Sequence, residues 1–503
     1  PLYREAPVID YMYGAMETTT STVFGDFIFI DPHAYWQRNY INTNAHEMTH
    51  QWFGNCIAHL VNKDVWLTES FATYYGKIFE RSIFGKDYYQ NVMNDELTLV
   101  LNAGKTNSYP VASSMGGNAR IYQKGSMVLG MLRNVMGDKE FRDAIRLYVE
   151  RYKFGYAQTN DFIRCTYDAT GISYNWFFEE WVLHGGEPEY KVSYTVLDDT
   201  TGHRATHITV TQVQETNNLV GLFKMPVRFE VHYKDSQCDT LVAWIENKVH
   251  EIVIPNPGKR AIDYVLFDPG RNVVKKVDFG KGFEELSAQA LRAPEMIDRY
   301  DALIALRSFP VEQKRILLLS CYKKETFQLT KSEIIDQLST DKTDSSIELF
   351  RQALNDTDAT VRKAVLKDVS LMPASLQSDA EKALKDYSYL NQELALQNLC
   401  QSFPENIDKY LEMTKDLTGW RGLNIRMKWL EIAITEGKKE FLPELSGYTG
   451  PQFEFETRIN AFTVLKRLRY TSDVIFSNAL AASQHWNGKL RDAAKDYLTY
   501  FGK

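Results

Sequence analysis

At 503 residues, 44% hydrophobic and 24% charged, the chain has the composition of a globular protein and the length for roughly three to four domains. Its 58 Lys and Arg against 65 Asp and Glu give a formal net charge of −7, which sets aside a general nucleic-acid binder, because such proteins carry a basic excess. No apolar run approaches the roughly 18 residues that a membrane-spanning helix needs, so no transmembrane segment is read in this chain.

Residues 1 to about 188 are rich in aromatics and in helical pattern. After a turn-like beginning, residues 23–30 are apolar and aromatic and read as a buried strand. Residues 45–55, 68–80, 125–135 and 139–152 read as helices. Gly185-Gly186-Glu187-Pro188 is a breaker. Beyond it, residues 190–196, 207–213, 225–233, 239–245 and 250–254 are short β-branched or aromatic runs. Turn residues such as Asp198-Asp199, Asn217-Asn218, Asp235-Ser236 and Asn256-Pro257-Gly258 separate them, which predicts a small antiparallel β-sandwich.

After Gly282 the pattern is helical only. Similar segments surround Ala302, Ala364, Ala395, Ala461 and Ala494, at separations of 62, 31, 66 and 33 residues. These are near multiples of one repeat length, as stacked helix pairs require, and the small Ala lets paired helices approach closely. Such an array serves either as a wall supporting the rest of the molecule or as a partner-binding solenoid. The five cysteines form no C-x-x-C pair and read as free, mostly buried thiols; their odd number leans toward a reducing compartment such as the cytoplasm.

The chemistry concentrates at His46-Glu47-Met48-Thr49-His50, an H-E-x-x-H motif expected by chance in only about 1% of chains of this length and composition. On a helix the two histidines, four residues apart, lie on one face, where two imidazoles can share one zinc. Glu47 lies near the same face and can reach a water on that metal without being a ligand. A catalytic zinc takes a third protein ligand and keeps a position open. Glu69, 19 residues after His50, is the candidate, on a second helix laid against the first.

These residues, with Gln51-Trp52-Phe53-Gly54-Asn55 behind them, resemble the aminopeptidase N-type zinc metallopeptidases, the gluzincin family that includes the leukotriene hydrolases. Gly14-Ala15-Met16-Glu17 is similar to that family's G-x-M-E-N exopeptidase motif, and Tyr122-Gln123-Lys124-Gly125 to its catalytic Y-x-K-G segment. The stretch Phe162 to Pro188 also looks like the family, so the resemblance is strong over residues 11–188 and looser beyond. It implies a multidomain α/β chain: a thermolysin-like zinc metallopeptidase catalytic domain at 1–188, a small β-sandwich at 189–280, and an all-α HEAT/armadillo-like helical repeat domain at 281–503. It implies one Zn2+ per chain, held by His46, His50 and Glu69. Glu47 would take a proton from the attacking water and pass it to the leaving amine. Tyr122 would donate a hydrogen bond to the oxyanion. Glu17 would pair with the free amino terminus of a peptide substrate, while Gly14, Ala15 and Met16 line it.

Two departures stand out. The family's Asn after the motif Glu is Thr18, and its usual Gly after the third ligand is Ser70. Family members also carry an amino-terminal β-domain ahead of the exopeptidase motif, whereas only 13 residues precede Gly14, and the chain opens on Pro1 without a Met; a fragment or processed form is expected. Asp64 and Asn55 are candidates to hydrogen-bond an imidazole or its surroundings. Lys124 reads as a packed or salt-bridged residue. Competing readings are a non-peptidase hydrolase of the same family, such as an epoxide hydrolase; a scaffold protein acting through its helical repeats with a silent metal site; and a thermolysin-like endopeptidase, which the Glu17 motif opposes. Preferred side chain, oligomeric state and compartment are not encoded in any motif.

Overall fold

A computed structural model describes residues 2–9, 11–198, 200 and 202–502; Asp199 of the expected Asp198-Asp199 turn, and the expected domain ends Pro1 and Lys503, lie outside the described residues. The chain divides into two compact units. The first comprises Pro1–Ala6, Ala15–Val23 and Tyr40–Pro310, the second Pro7–Gly14, Phe24–Asn39 and Val311–Lys503. Among the described residues no helix is long and apolar enough to cross a membrane.

Three short strands, β1 (Arg4–Val8), β2 (Ala15–Met16) and β3 (Ser21–Gly25), form a sheet in the order β1-β3-β2. The strand expected at 23–30 therefore ends at Gly25, where a 3-10 turn over Asp26–Ile28 takes over. Helix α1 (Ile41–Thr49) stops at His50, earlier than the sequence pattern implied, and residues 51–55 turn the chain into strand β4 (Ile57–His59).

Helix α2 (Trp66–Gly104) opens on a buried apolar run and is interrupted at Gly85, where φ of 88° and ψ of −176° fit glycine alone. A π-helical turn, Ala119–Lys124, leads without a break into α3 (Gly125–Met136). Helices α4 (Asp138–Tyr152) and α5 (Thr159–Thr170) flank strand β5 (Gly155–Ala157), which pairs in parallel with β4. Then come α6 (Asn175–Phe178) and a second π-turn, Glu179–Leu183.

The core of this region is aromatic. Phe53, just past α1, stacks on Phe71 of α2 with ring centroids 4.5 Å apart, and Tyr148 and Phe162 close the cluster around a fully buried Trp66. Such pairs add about 1 kcal/mol beyond the apolar area they bury. This cluster holds the end of α1 against the start of α2.

Seven strands follow: β6 (Glu189–Asp198), β7 (Arg204–Gln212), β8 (Met225–Tyr233), β9 (Cys238–Ile245), β10 (Val249–Pro255), β11 (Ile262–Phe267) and β12 (Lys276–Phe279). They form two sheets, β10-β7-β6-β12 and β11-β8-β9. Alternate residues of β7 and β8 are buried, as strands with one covered face require, and Ile208, Val210, Val227, Phe229 and Val231 enter one apolar core. The first five strands match the sequence expectation closely. Strands β11 and β12 were not foreseen. Helices α7 (Phe283–Arg292) and α8 (Met296–Ala305) complete the unit.

The second unit is helical from Val311 onward. Its helices Gln328–Leu338, Ala359–Asp368, Tyr389–Ser402, Asn424–Thr435, Phe455–Arg467 and Gly488–Tyr500 each touch the next in that series. Four of them carry Ala364, Ala395, Ala461 and Ala494, all buried. Ala302 lies in α8 of the first unit and is buried there. All five cysteines are free: Cys165, Cys321 and Cys400 buried, Cys56 intermediate, Cys238 exposed.

Candidate active site

The last turn of α1 and the first turn of α2 bring His46, His50 and Glu69 together. The two Nε2 atoms are 3.0 Å apart, and Glu69 Oε2 lies 3.4 Å from that of His46 and 3.3 Å from that of His50. Zinc bonds of about 2.0–2.1 Å at tetrahedral angles separate ligand atoms by about 3.3–3.4 Å. The opposite ring nitrogens are also committed. His50 Nδ1 lies 2.8 Å from the Phe53 carbonyl oxygen, so it is the donor, and Nε2 is the inward-facing atom. His46 Nδ1 lies 3.3 Å from the Thr73 hydroxyl, which can accept in the same way. The donor set therefore fits a divalent cation of the zinc class, with two imidazole nitrogens and one carboxylate oxygen on one point.

Burial works to lower both imidazoles, and His46 is lowered, but the Glu69 carboxylate overrides burial at His50 and lifts it to about 9. Glu69 is itself held down at about 2, because the bonds from His46 and His50 outweigh the cost of burying its charge. With Nε2 atoms in contact, the two rings accommodate one inward-facing proton between them.

Glu47 is buried, and its Oε2 has no hydrogen-bond partner. Desolvation, supported by the nearby Glu17 and Glu69 charges, raises it to about 7 against the pull of His50. Donor atoms of Glu17, Glu47 and His50 lie within 4.8 Å of one another. Two carboxylates facing one space make it attractive to a cation such as an ammonium group.

Tyr122 stacks over His46 with centroids 6.0 Å apart and planes 16° apart. Burial and the neighbouring Glu69 carboxylate push its phenol up, so it keeps its proton and remains a donor. Its position is set from three sides. Ser70 Oγ donates to the Ile121 carbonyl at 2.6 Å, which gives the departure at position 70 a local role. Gly125 lies so close to Ser70 that a Cβ there would meet Ser70 Oγ at 1.9 Å. On either side of Tyr122, Arg120 and Lys124 are buried without exposure and converge on the Glu187 carboxylate, with Lys124 Nζ 3.3 Å from it. Lys124 also donates to the Gly186 carbonyl at 2.6 Å.

The exopeptidase-like motif is divided. Ala15, Met16 and Glu17 belong to the same unit as the cluster; Gly14 is exposed, belongs to the other unit, and accepts from Gly25 N–H at 3.2 Å. The Asn55 side chain donates to the Glu17 carbonyl, tying the motif to the loop behind His50. Gln51 Oε1 accepts from Thr20 N–H at 2.9 Å and anchors the same segment, while Thr18 is exposed. Asp64 does not reach an imidazole: it is fully buried and accepts from the backbone and hydroxyl of Thr159 at 3.2 and 2.6 Å, at the start of α5. Sequence reasoning missed Thr73, Ser70, Arg120 and Glu187 as supports of the site.

Residues 3–181 match the peptidase family M1 domain. The leucyl aminopeptidase of Saccharolobus solfataricus is 26% identical over 259 residues, covering 46% of this chain and 31% of that protein. The thyrotropin-releasing hormone-degrading ectoenzyme of Mus musculus is 26% identical over 272 residues, covering 47% of this chain and 25% of that protein. The chain thus spans less than a third of the length of these relatives. The crystal structure of Legionella pneumophila aminopeptidase A in complex with aspartic acid aligns at a TM-score of 0.61 with 15% identity, over 99% of this chain and 61% of that one, and supports a shared fold.

Proposed function

We propose that this chain, which belongs to the aminopeptidase N-type metallopeptidases through its peptidase family M1 domain, is a zinc-dependent aminopeptidase that removes the amino-terminal residue from peptides. The observation that carries the reading is the convergence of His46 Nε2, His50 Nε2 and Glu69 Oε2 within 3.0–3.4 Å, with an unpartnered Glu47 carboxylate oxygen beside them.

In this reading His46, His50 and Glu69 hold one Zn2+. Zinc, when bound there, supplies Lewis acidity to a water molecule and to the scissile carbonyl. Glu47 accepts the water's proton and returns it to the departing amine, a role suited to a buried carboxylate with an unpartnered oxygen beside the cluster. Tyr122 donates its phenol hydrogen to the oxygen on which negative charge develops. Glu17 pairs with the α-ammonium group and fixes the register at the first peptide bond. Gly14, Ala15 and Met16 are assigned to the peptide's path on their motif.

The same reading assigns residues 1–188 to a thermolysin-like catalytic domain, 189–280 to a β-sandwich and 281–503 to a HEAT/armadillo-like repeat domain. It draws support from β6 starting at Glu189, β12 ending at Phe279, and helices alone from Phe283 onward. The test is turnover of an aminoacyl-arylamide panel by the zinc-loaded chain beside Glu47→Gln. The expected result is one zinc retained at this site in both and turnover lost in the variant; turnover by Glu47→Gln at the parent rate overturns the mechanism.

A further inference from the structure

The outer face of the sheet β11-β8-β9 carries a second group of metal-ligating side chains, remote in sequence from the first. Glu230 and His232 lie on β8, and Cys238 opens β9 directly across from His232. Donor atoms of the three lie within 4.8 Å of one another. We propose that Glu230, His232 and Cys238 form a second cation site, selective for a borderline-soft divalent transition ion of the zinc class.

The argument begins with which ring nitrogen is used. Glu230 Oε2 lies 2.9 Å from His232 Nε2, and Cys238 Sγ lies 3.6 Å from the same Nε2. An imidazole that activates a cysteine nucleophile bridges thiol and carboxylate through its two opposite nitrogens. Here thiol and carboxylate crowd one nitrogen, which carries at most one proton. Three donors aimed at one point describe a coordination site instead.

Distances agree with this reading. Zinc–sulfur of about 2.3 Å and zinc–nitrogen of about 2.0–2.1 Å at a tetrahedral angle place S and N about 3.5–3.6 Å apart. The carboxylate sits at hydrogen-bonding distance and draws back by about 0.4 Å to take its place. The ring is held in orientation by Tyr264, stacked on it at 4.3 Å with planes 15° apart. Arg228 approaches Glu230 through the other oxygen, Oε1, at 3.4 Å, and leaves Oε2 for the cation. Binding releases the Cys238 thiol proton to solvent and moves the imidazole proton from Nε2 to Nδ1, so the ligands become thiolate, neutral imidazole and carboxylate. One thiolate and one imidazole favour zinc, cobalt or nickel over magnesium or calcium. Cys238 is exposed, so an ion reaches it from solvent. The three ligands span the tip of the β8–β9 hairpin and would clamp it.

Cobalt(II) alone, added to the full chain under reducing conditions, is the probe. A thiolate ligand gives a sulfur-to-cobalt charge-transfer absorption that the His46, His50 and Glu69 set, lacking sulfur, does not. The expected result is this absorption in the parent and in Glu69→Ala, its loss in Cys238→Ser, a weakening of cobalt affinity by about tenfold or more in His232→Ala, and displacement by zinc but not by excess magnesium. Circular dichroism of the variants checks the fold. No charge-transfer absorption at saturating cobalt, its survival in Cys238→Ser, or an unchanged affinity in His232→Ala would overturn the proposal.

Discussion

Replacing Glu187 with Gln isolates one charge at the support of Tyr122. Glu187 is 7% exposed and faces two cations, Arg120 and Lys124, whose side chains have no exposure at all. The amide keeps the shape and removes the negative charge that both cations face. Removing one partner of a buried ion pair costs about 3–5 kcal/mol. Arg120 retains the Asn107 carbonyl at 3.1 Å and Lys124 the Gly186 carbonyl at 2.6 Å, which limits the loss. Burial and the neighbouring Arg120 already press the Lys124 pKa down, so its charge is held against both. The expected cost is therefore at the low end, about 3 kcal/mol, or roughly a hundredfold in a local opening equilibrium. Hydrogen–deuterium exchange of peptides spanning the π-turn Ala119–Lys124 and α3 reads the change where it acts. Protection within threefold of the parent, together with unchanged turnover, would refute the reasoning.

Other consequences follow from the same geometry. Zinc uptake at pH 7 should release about one proton from His50, which the Glu69 carboxylate lifts to about 9; affinity should fall about tenfold per pH unit below that value, and calorimetry in buffers of different ionisation enthalpy would contradict it by finding no release. Tyr122→Phe should lower kcat by about 10²–10³-fold with KM nearly unchanged, since it removes a donor used only as negative charge develops; a change in KM alone would place the phenol in ground-state binding. Gly185→Ala should destabilise by about 3 kcal/mol or prevent folding, because its Cβ would sit 1.7 Å from the Ser108 carbonyl oxygen; an unchanged melting temperature would show that this backbone approach is not rigid.

The convergence of His46, His50 and Glu69 was legible in the sequence because it rests on local periodicity. Two histidines one helical turn apart share a face whatever surrounds them, and Glu69 lies in the first turn of the next long helix. Strands β6 to β10 were legible through their alternation and turn residues. What was not legible depends on contacts across long stretches of chain. Glu187 meets Arg120 from 67 residues away, and only the folded chain shows that Lys124, expected to be packed or salt-bridged, is the second cation of that pair. Ser70 looked like a small departure from the family pattern, yet its hydroxyl supports the carbonyl before Tyr122. Asp64 carries the residue type of a support to a metal ligand, but its partner is Thr159 at a helix start. Strand β12 was missed because its burial is slight and it pairs in parallel with the distant β6.

Mass analysis of the products from one peptide, offered with a free and with an acetylated amino terminus to the zinc-loaded chain, is the most direct test of a zinc site that acts at the first peptide bond. Stepwise loss of single residues from the free peptide and no cleavage of the acetylated one is the predicted result. Internal cleavage, equal cleavage of both peptides, or an intact free peptide despite zinc bound at His46, His50 and Glu69 would contradict it.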